Sequence, residues 1–522
     1  MVSHAPRSCR QGCLIGVLIL VGLCGSCETG FLPFDSSPGG PADPLTVEEV
    51  DQIIRSAAGS LSASTLVIAV TDREGNVLGL FRKPDAPVQV EAFLAGRSVE
   101  VDTNELAVAL ARTGAFFSND QAPLSSRTVQ FISREHFPPT FRANGAVSGV
   151  KNTPSGALWD IEHTNRGCAL SDEFLPGQEV TPATSVDRSG PGTGIATIPG
   201  GVPLYKGGKV VGGVGVAGVA PQHAEFAAFS GSAGFGPLVP APGEVFIDGV
   251  RLPFVDQTTR PIATAPGEPL GDYVAIPNLL DPTTTLTGPQ GSLRPNVPEG
   301  WLVGPLSSSE LSAAQVRSII ENAVFRADRT RAAIRLPGGA RTRMVIAVTA
   351  LDRSVLGLYR MADATVFSID VAVTKGRNVT YFSGLDRTIG DLPGVPLGTA
   401  VTNRTLRFGS QPFFPPGIND SLPGPFFALR ARNRDAPCTQ GYQADGPNQS
   451  GIVFFPGSAP LYRFGLVLVG GLGVSGDGVD QDDYVTAAGI VGYEPADFLR
   501  ADRVSINGVP LPYLKFPRAP EE

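Results

Sequence analysis

Four carboxylates fall close together in "SGDGVDQDDY" (475–484): Asp477, Asp480, Asp482 and Asp483. Hard oxygen donors at such spacing suit Ca²⁺, but the glutamate that closes an EF-hand loop at its twelfth position is missing. The competing expectation is a helix N-terminus, where carboxylates complement the macrodipole. Imidazole is scarce: the chain has 4 histidines, His4, His136, His163 and His223. His163 closes "WDIEH" beside Asp160 and Glu162, a set capable of acid–base work that a polar loop explains as readily. Neither a G-x-S-x-G elbow nor an H-E-x-x-H helix occurs. The glycine run "GGVGVAG" (212–218) has the look of a phosphate loop. It sits inside an apolar alternating run, however, and no GK[ST] follows, which excludes a P-loop. Gly213 and Gly215 read instead as strand positions against which another backbone packs closely.

The net charge of −8 and the lack of a basic run leave no cationic footprint for nucleic acid. With 63 glycines and 47 prolines in no fixed period, the chain reads as globular and rich in turns. Arg7 and Arg10 precede the apolar run "LIGVLILVGL" (14–23), which has the length of a signal-peptide core and is too short for a stable anchor. Gly25 and Ser26 before Cys27 resemble a bacterial lipoprotein cleavage site, with Cys24 in place of the usual aliphatic residue. The expectation is a lipid on Cys27 and a mature protein at the bacterial cell envelope, outside the cytoplasm. Simple secretion is the alternative. Residues 28–44 then form a flexible tether. Processing removes Cys9, Cys13 and Cys24, so that Cys168 and Cys438 remain in the folded body. They are expected to form a disulfide between the two halves described next, with free buried thiols as the alternative.

The glycine run occurs again as "VGGLGVSG" (469–476), part of a long internal repeat. "LTVEEVDQII" (45–54) pairs with "LSAAQVRSII" (311–320), and "VIAVT" occurs at 67–71 and 345–349. "VLGLFR" (77–82) pairs with "VLGLYR" (355–360), "RTVQF" (127–131) with "RTLRF" (404–408), and "VFIDGVRLPF" (245–254) with "VSINGVPLPY" (504–513). The first copy carries roughly twenty extra residues between Arg127 and Pro203, where an insertion belongs in a surface loop. Repeats of this length predict two homologous domains, at 45–261 and 310–520. The Pro/Gly/Thr-rich stretch 262–309 between them reads as an extended linker. Each copy opens with a capping box, Thr46/Glu49 and Ser312/Gln315. Behind the first box Val47, Val50, Ile54 and Ala57 share a helical face, and behind the second Val316, Ile319, Ile320 and Ala323 do. A β-hairpin, a second helix (104–117 and 367–382), a long loop region, the glycine hairpin and a short helix follow. This mixed order predicts an α+β fold, an antiparallel sheet covered by helices.

Taken together, "VIAVTDREGNVLGLFRKPDA", "YRMADA" (359–364), "SIDVAVTKGRNVTYFSG" and the two stretches "IPGGVPLYKGGKVVGGVGVAG" and "FPGSAPLYRFGLVLVGGLGVSG" resemble the HbpS/GlcG haem-binding family. The resemblance runs with interruptions over most of 45–230 and 310–490. It implies a profilin-like fold, self-association, and for some members non-covalent binding of haem or a related small ligand. Two fused copies would then make a pseudo-dimer within one chain. Covalent haem is excluded, since no C-x-x-C-H occurs. The ligand-binding candidates are the mature histidines His136, His163 and His223 of the first copy, and Arg360, Met361, Lys375, Arg377 and Tyr462 of the second. Met361 and Tyr462 also read as hairpin packing residues. The first copy lacks the Lys-x-Arg element, with only Arg112 near its place. A ligand-free structural or interaction module is the alternative function, and an enzyme of haem or small-acid metabolism a third. A binding role predicts a pocket lined by Arg360, Lys375, Arg377 or the histidines of the first copy. A scaffold role pairs them internally or turns them to solvent.

Overall fold

Each half begins where its capping box predicts. Helix α1 (Val47–Gly59) starts on Thr46, whose hydroxyl accepts from the Glu49 amide at 3.3 Å while the Glu49 carboxylate accepts from the Thr46 amide at 2.8 Å. Its buried stripe is Val50, Ile53, Ile54 and Ala57. Val47, expected on that stripe, lies in the first turn and stays 43% exposed. Strands β1 (Val67–Asp72) and β2 (Val77–Arg82) form the expected hairpin. An unexpected second hairpin follows, β3 (Gln89–Leu94) and β4 (Arg97–Asp102). Helix α2 (Thr103–Phe117) is capped by the Asp102 carboxylate, and α3 (Ser126–Ile132) comes next. The glycine hairpin β5 (Gly201–Lys206) and β6 (Lys209–Ala217) leads into α4 (Pro221–Gly231). The computed structural model describes residues 43–94, 97–141, 147–149, 153–164, 194–237, 244–247, 249–294, 296–418, 420–436, 439–444 and 448–521.

The stretch read as a linker is extended, and it also supplies an edge strand to each sheet, β7 (Asp272–Tyr273) beside β2 and β8 (Gly300–Val303) beside the strand at Val355–Arg360. Two-residue strands carry no periodicity, so β7 leaves no pattern to read. The second half repeats the first: α5 (Ala313–Ala327), β9 (Val345–Thr349), β10 (Val355–Arg360), α6 (Ser368–Phe382), α7 (Asn403–Gly409), α8 (Ala428–Asp435), β11 (Ser458–Arg463), β12 (Val467–Ser475) and α9 (Val479–Gly489). Both sheets are antiparallel and share one strand order, β7-β2-β1-β6-β5 and β8-β10-β9-β12-β11. Their registers also match: Val67 faces Arg82 and Ala217, and Val345 faces Arg360 and Ser475.

The repeated glycines press a helix onto a strand. A Cβ at Gly213 or Gly215 would run into the carbonyl oxygens of Ala111 and Ala107 on α2. One at Gly471 or Gly473 would run into those of Gly376 and Ala372 on α6. Only a residue without a side chain admits this approach.

The halves join end to end. The Val366 amide donates to the Phe116 carbonyl at 3.1 Å, and the rings of Phe117 and Phe367 stack with centroids 4.1 Å apart. Arg73, on the β1–β2 turn, donates to the Asp363 carboxylate at 2.9 Å, which also accepts from the Asp120 amide at 3.1 Å and from Arg335 at 2.8 Å. A two-fold contact would repeat these pairs with the roles exchanged. The matching positions, Leu351 and Asp85, are both exposed, Leu351 at 41%. At this joint the tail of the first half meets the head of the second, so the symmetric pseudo-dimer contact expected is not the one made here. Cys27, Cys168 and Cys438, and with them the expected lipid site and disulfide, lie outside the described residues. Among the described residues no helix is long and apolar enough to cross a membrane.

Candidate ligand site

Helices α2 and α6 can be compared position by position. The Nε of Arg377 donates to the Arg353 carbonyl at 3.0 Å, and that of Arg112 donates to the Gly75 carbonyl at 3.0 Å. Both acceptors belong to the turn between the first two strands of their half. Arg112 thus fills the place of Arg377, and of the Lys-x-Arg element only the lysine is missing from the first half. Its place is taken by Leu110. Lys375 is fully buried, donating to Asp482 at 2.9 Å and to the Val474 carbonyl at 2.6 Å. Ala224 stands where the second half has Asp482. A Cβ at Gly200 would touch Leu110 and Ala224, whereas one at Gly457 would touch Lys375 and Asp482. One spot therefore carries an apolar pair in the first half and an ion pair in the second. Burial pulls the Lys375 ammonium down, against the pull of Asp482, and pushes the Asp482 carboxyl up to about 7, against the pull of Lys375.

The remaining candidates of the second half are also internally satisfied. Arg360 is buried and clamps its own loop, donating to the carbonyls of Ala364 at 2.5 Å and Val297 at 3.0 Å. Arg82 does the same to Ala86 at 2.6 Å, so this arginine shapes the loop in both halves. The Met361 sulfur accepts from the Met344 amide at 3.3 Å in the core. Tyr462 is buried, with no hydrogen-bond partner for its hydroxyl among the described residues, and burial raises its pKa. Arg360, Lys375 and Arg377 thus spend donors on ion pairing and carbonyl clamping within the protein.

The acidic run disperses rather than gathering. Asp482 turns to Lys375, Asp483 pairs with Arg404, and Asp480 pairs with Arg404 and Lys515 at 2.7 Å each. Asp477 accepts from the Ala333 and Gly478 amides. Successive residues at the start of α9 point to different neighbours, so the Ca²⁺ reading is corrected to the helix-terminus reading. Among the described residues no group of three or more His, Cys, Asp or Glu side chains is placed to hold a metal ion.

The histidines fare differently. His223 lies half-buried in the first turn of α4, and the His163 side chain is outside the described set. His136 is half-buried, with Nδ1 2.8 Å from the Thr153 carbonyl. A carbonyl only accepts, so Nδ1 is the donor, and in the neutral ring the lone pair lies on Nε2. The ring stacks on Phe413 of the second half with centroids 5.9 Å apart. Around it the halves interlock through arginines. Arg430 donates to Glu135 at 2.6 Å and Asp160 at 2.8 Å and lies 5.1 Å from the centre of the Trp159 ring. Arg407 donates to the Ser155 and Gly156 carbonyls, and burial pulls it down to about 9. The buried Nε of Arg134 has no partner among the described residues. Sequence reasoning found His136 but missed Arg134, Arg407, Phe413 and Arg430, whose roles depend on contacts between the halves. It also missed Asp370, a fully buried carboxyl in the first turn of α6 whose Oδ1 has no partner among the described residues and which burial pushes up to about 7.

Comparison with known proteins gives partial matches. Residues 311–491 match the family model of the haem-degrading HbpS-like proteins. Among solved structures, the PduOC:heme complex is 19% identical with a TM-score of 0.23, covering 35% of this chain and 94% of that one. Klebsiella pneumoniae protein ORFY, of family DUF336, is 15% identical with a TM-score of 0.23, covering 36% of this chain and 95% of that one. No curated protein matches the chain. The second half, from α5 to the end of α9, is thus the part with HbpS-like similarity, on a fold of antiparallel sheets flanked by helices.

Proposed function

We propose that the chain is a tandem HbpS-like protein of the bacterial cell envelope that binds haem, or another small tetrapyrrole, non-covalently. The observation that carries this reading is the imidazole of His136. Its Nδ1 is committed to a carbonyl, and the ring lies where an aromatic ring of the second half stacks on the first. An imidazole held in this way would suit a ligand to the haem iron through Nε2. Phe413, stacked on the imidazole, would hold that ring in place, and Arg134 would offer a cation to the haem carboxylates. When bound, the haem would supply an iron centre with redox and ligand-binding chemistry. What this chain contributes is a fixed imidazole tautomer and partial exclusion of water. The HbpS-like match over 311–491 supports the ligand class. Export, a lipid on Cys27, a disulfide between Cys168 and Cys438, and two homologous domains belong to the same proposal. The matched sheet order and register support the last of these.

A second reading has its own observation. Arg360, Lys375 and Arg377 are all satisfied internally, as a ligand-free structural module requires. A haemin titration of the chain from residue 28 onward separates the two. Binding predicts a saturable, shifted Soret band that is lost in His136→Ala and kept in His223→Ala. A flat titration of the folded protein favours the module.

A further inference from the structure

We infer that the head-to-tail joint inside the chain is the pattern for contact with a second copy of the chain, and that two insertions cap the free ends against it. In the second half, the head core of Val345, Ala347, Leu358 and Ala372 is completed by the tail of the first half, through Phe116 and Phe117. The same head surface in the first half, built from Val67, Ala69, Leu80 and Ala107, meets no such tail among the described residues. It is completed instead by the hairpin β3–β4, whose Ala92 and Leu94 are buried against it. That hairpin occupies residues 83–102, a connection that in the second half is only 361–367. The first half thus carries at its head an element with no counterpart in the second, placed where the joint would form.

The tail shows the converse. After α2 the first half runs directly through 118–123 into the joint. After α6 the matching stretch is much longer, 383–400, and it folds back over the end of its own half. Leu392 and Val395 bury against Tyr381 and Phe382, the counterparts of Phe116 and Phe117. The Tyr381 hydroxyl donates to Asp391 at 2.7 Å. Asp386 lies 3.7 Å from Arg353 on the β9–β10 turn. This parallels the pairing of Asp363 with Arg73, on the matching turn of the first half. A heterologous joint that does not close on itself propagates into an open chain of molecules unless its ends are blocked. Repeat proteins block theirs with atypical terminal units. Here one insertion blocks the free head and the other the free tail. The inference is independent of any ligand.

Two deletion variants test it, one lacking residues 89–101 and one lacking 385–396, each bridged by a short glycine-serine link. Mass is read by sedimentation and surface protection by hydrogen exchange. The unaltered chain is expected to sediment as a single molecule, and each folded variant alone likewise, since an opened head finds only capped tails. Mixed one to one, the two variants should form a particle of twice the mass, with β1 of the first variant regaining protection. A variant carrying both deletions should grow into longer chains. Where a deletion does not fold, A92D with L94D, and L392D with V395D, unpin the same caps. Folded variants that stay single on mixing overturn the inference. So does a single-cap variant that associates with itself, because a head cannot pair with a head in this joint.

Discussion

The ion pair of Lys375 and Asp482 can be tested against the chain's own internal control, the apolar pair Leu110 and Ala224 at the matching spot. Removing one partner strands the other in a fully buried site, which typically costs about 3–5 kcal/mol when a charge is left. The two single variants should differ. In D482A the fully buried ammonium keeps the Val474 carbonyl as its hydrogen-bond acceptor and the face of Phe455 5.4 Å away, but no directly paired carboxylate, so the cost should still lie within that range. In K375L the remaining carboxyl, already pushed up to about 7, rises further and is neutral at pH 7. Its cost should be about 2 kcal/mol, the desolvation of an imperfectly paired neutral group. The double variant K375L/D482A copies the first half and should lie within about 1 kcal/mol of the parent, since well-packed apolar pairs replace buried ion pairs at little cost. The residual comes from the Asp477 amide, which donates to Asp482 at 3.3 Å. Urea unfolding at pH 7 followed by circular dichroism gives the four stabilities. Additive single costs, leaving the double variant worst of all, would refute the claim that the two spots are interchangeable. A K375L variant less stable than D482A would refute the assignment of the mobile proton to Asp482.

Three further outcomes are expected. Gly473→Ala drives a methyl into the Ala372 carbonyl and should cost at least about 1–3 kcal/mol in thermal unfolding, whereas Gly208→Ala, with open space around it, should cost only the strain of its positive φ. Burial pushes the Asp370 carboxyl up to about 7, well above the ordinary carboxylate range, so the folded state keeps a proton that the unfolded state releases. Stability should fall as pH rises between about 4 and about 7, by on the order of 4 kcal/mol at most, and Asp370→Asn should flatten that slope. Asp363 behaves oppositely: despite burial, Arg335 and Arg73 hold it down to about 2. Its contribution is present above the usual carboxylate range and is lost as pH falls from about 4 toward about 2. Asp363→Asn should therefore lower stability at pH 7 by on the order of 2 kcal/mol and remove that part of the acid sensitivity.

What the sequence disclosed was local. The capping boxes at Thr46 and Ser312, the hairpins and the helix-facing glycines follow from short patterns with one physical explanation each, and the repeat shows them twice. The lysine and arginine candidates were misjudged as free groups for a common reason. A lysine or arginine on a helix looks available until the partner is known, and the partners of Lys375 and Arg360 lie 107 residues away at Asp482 and in the carbonyls of an adjoining loop. The hairpin β3–β4 went unread because its alternation is blurred: Phe93 faces solvent while Ala92 and Leu94 face the core, and its turn lacks an Asn-Gly or Asp-Gly signal. The carboxylates of 475–484 were legible as a helix start, but not which cation each would meet.

The two edge strands drawn from the connecting stretch decide how the chain can be cut. The Gln290 amide donates to the Leu78 carbonyl at 2.8 Å and the Ser292 amide to the Leu45 carbonyl at 2.9 Å, so the first half holds its chain as far as residue 292. Val297 already belongs to the second, its carbonyl accepting from Arg360 at 3.0 Å. A fragment of the first half that stops at 261 gives up an edge strand and exposes the flank of β2 to any other unpaired strand in solution. Separate expression of either half, or a protease site engineered to release them, belongs in the short interval between Ser292 and Val297.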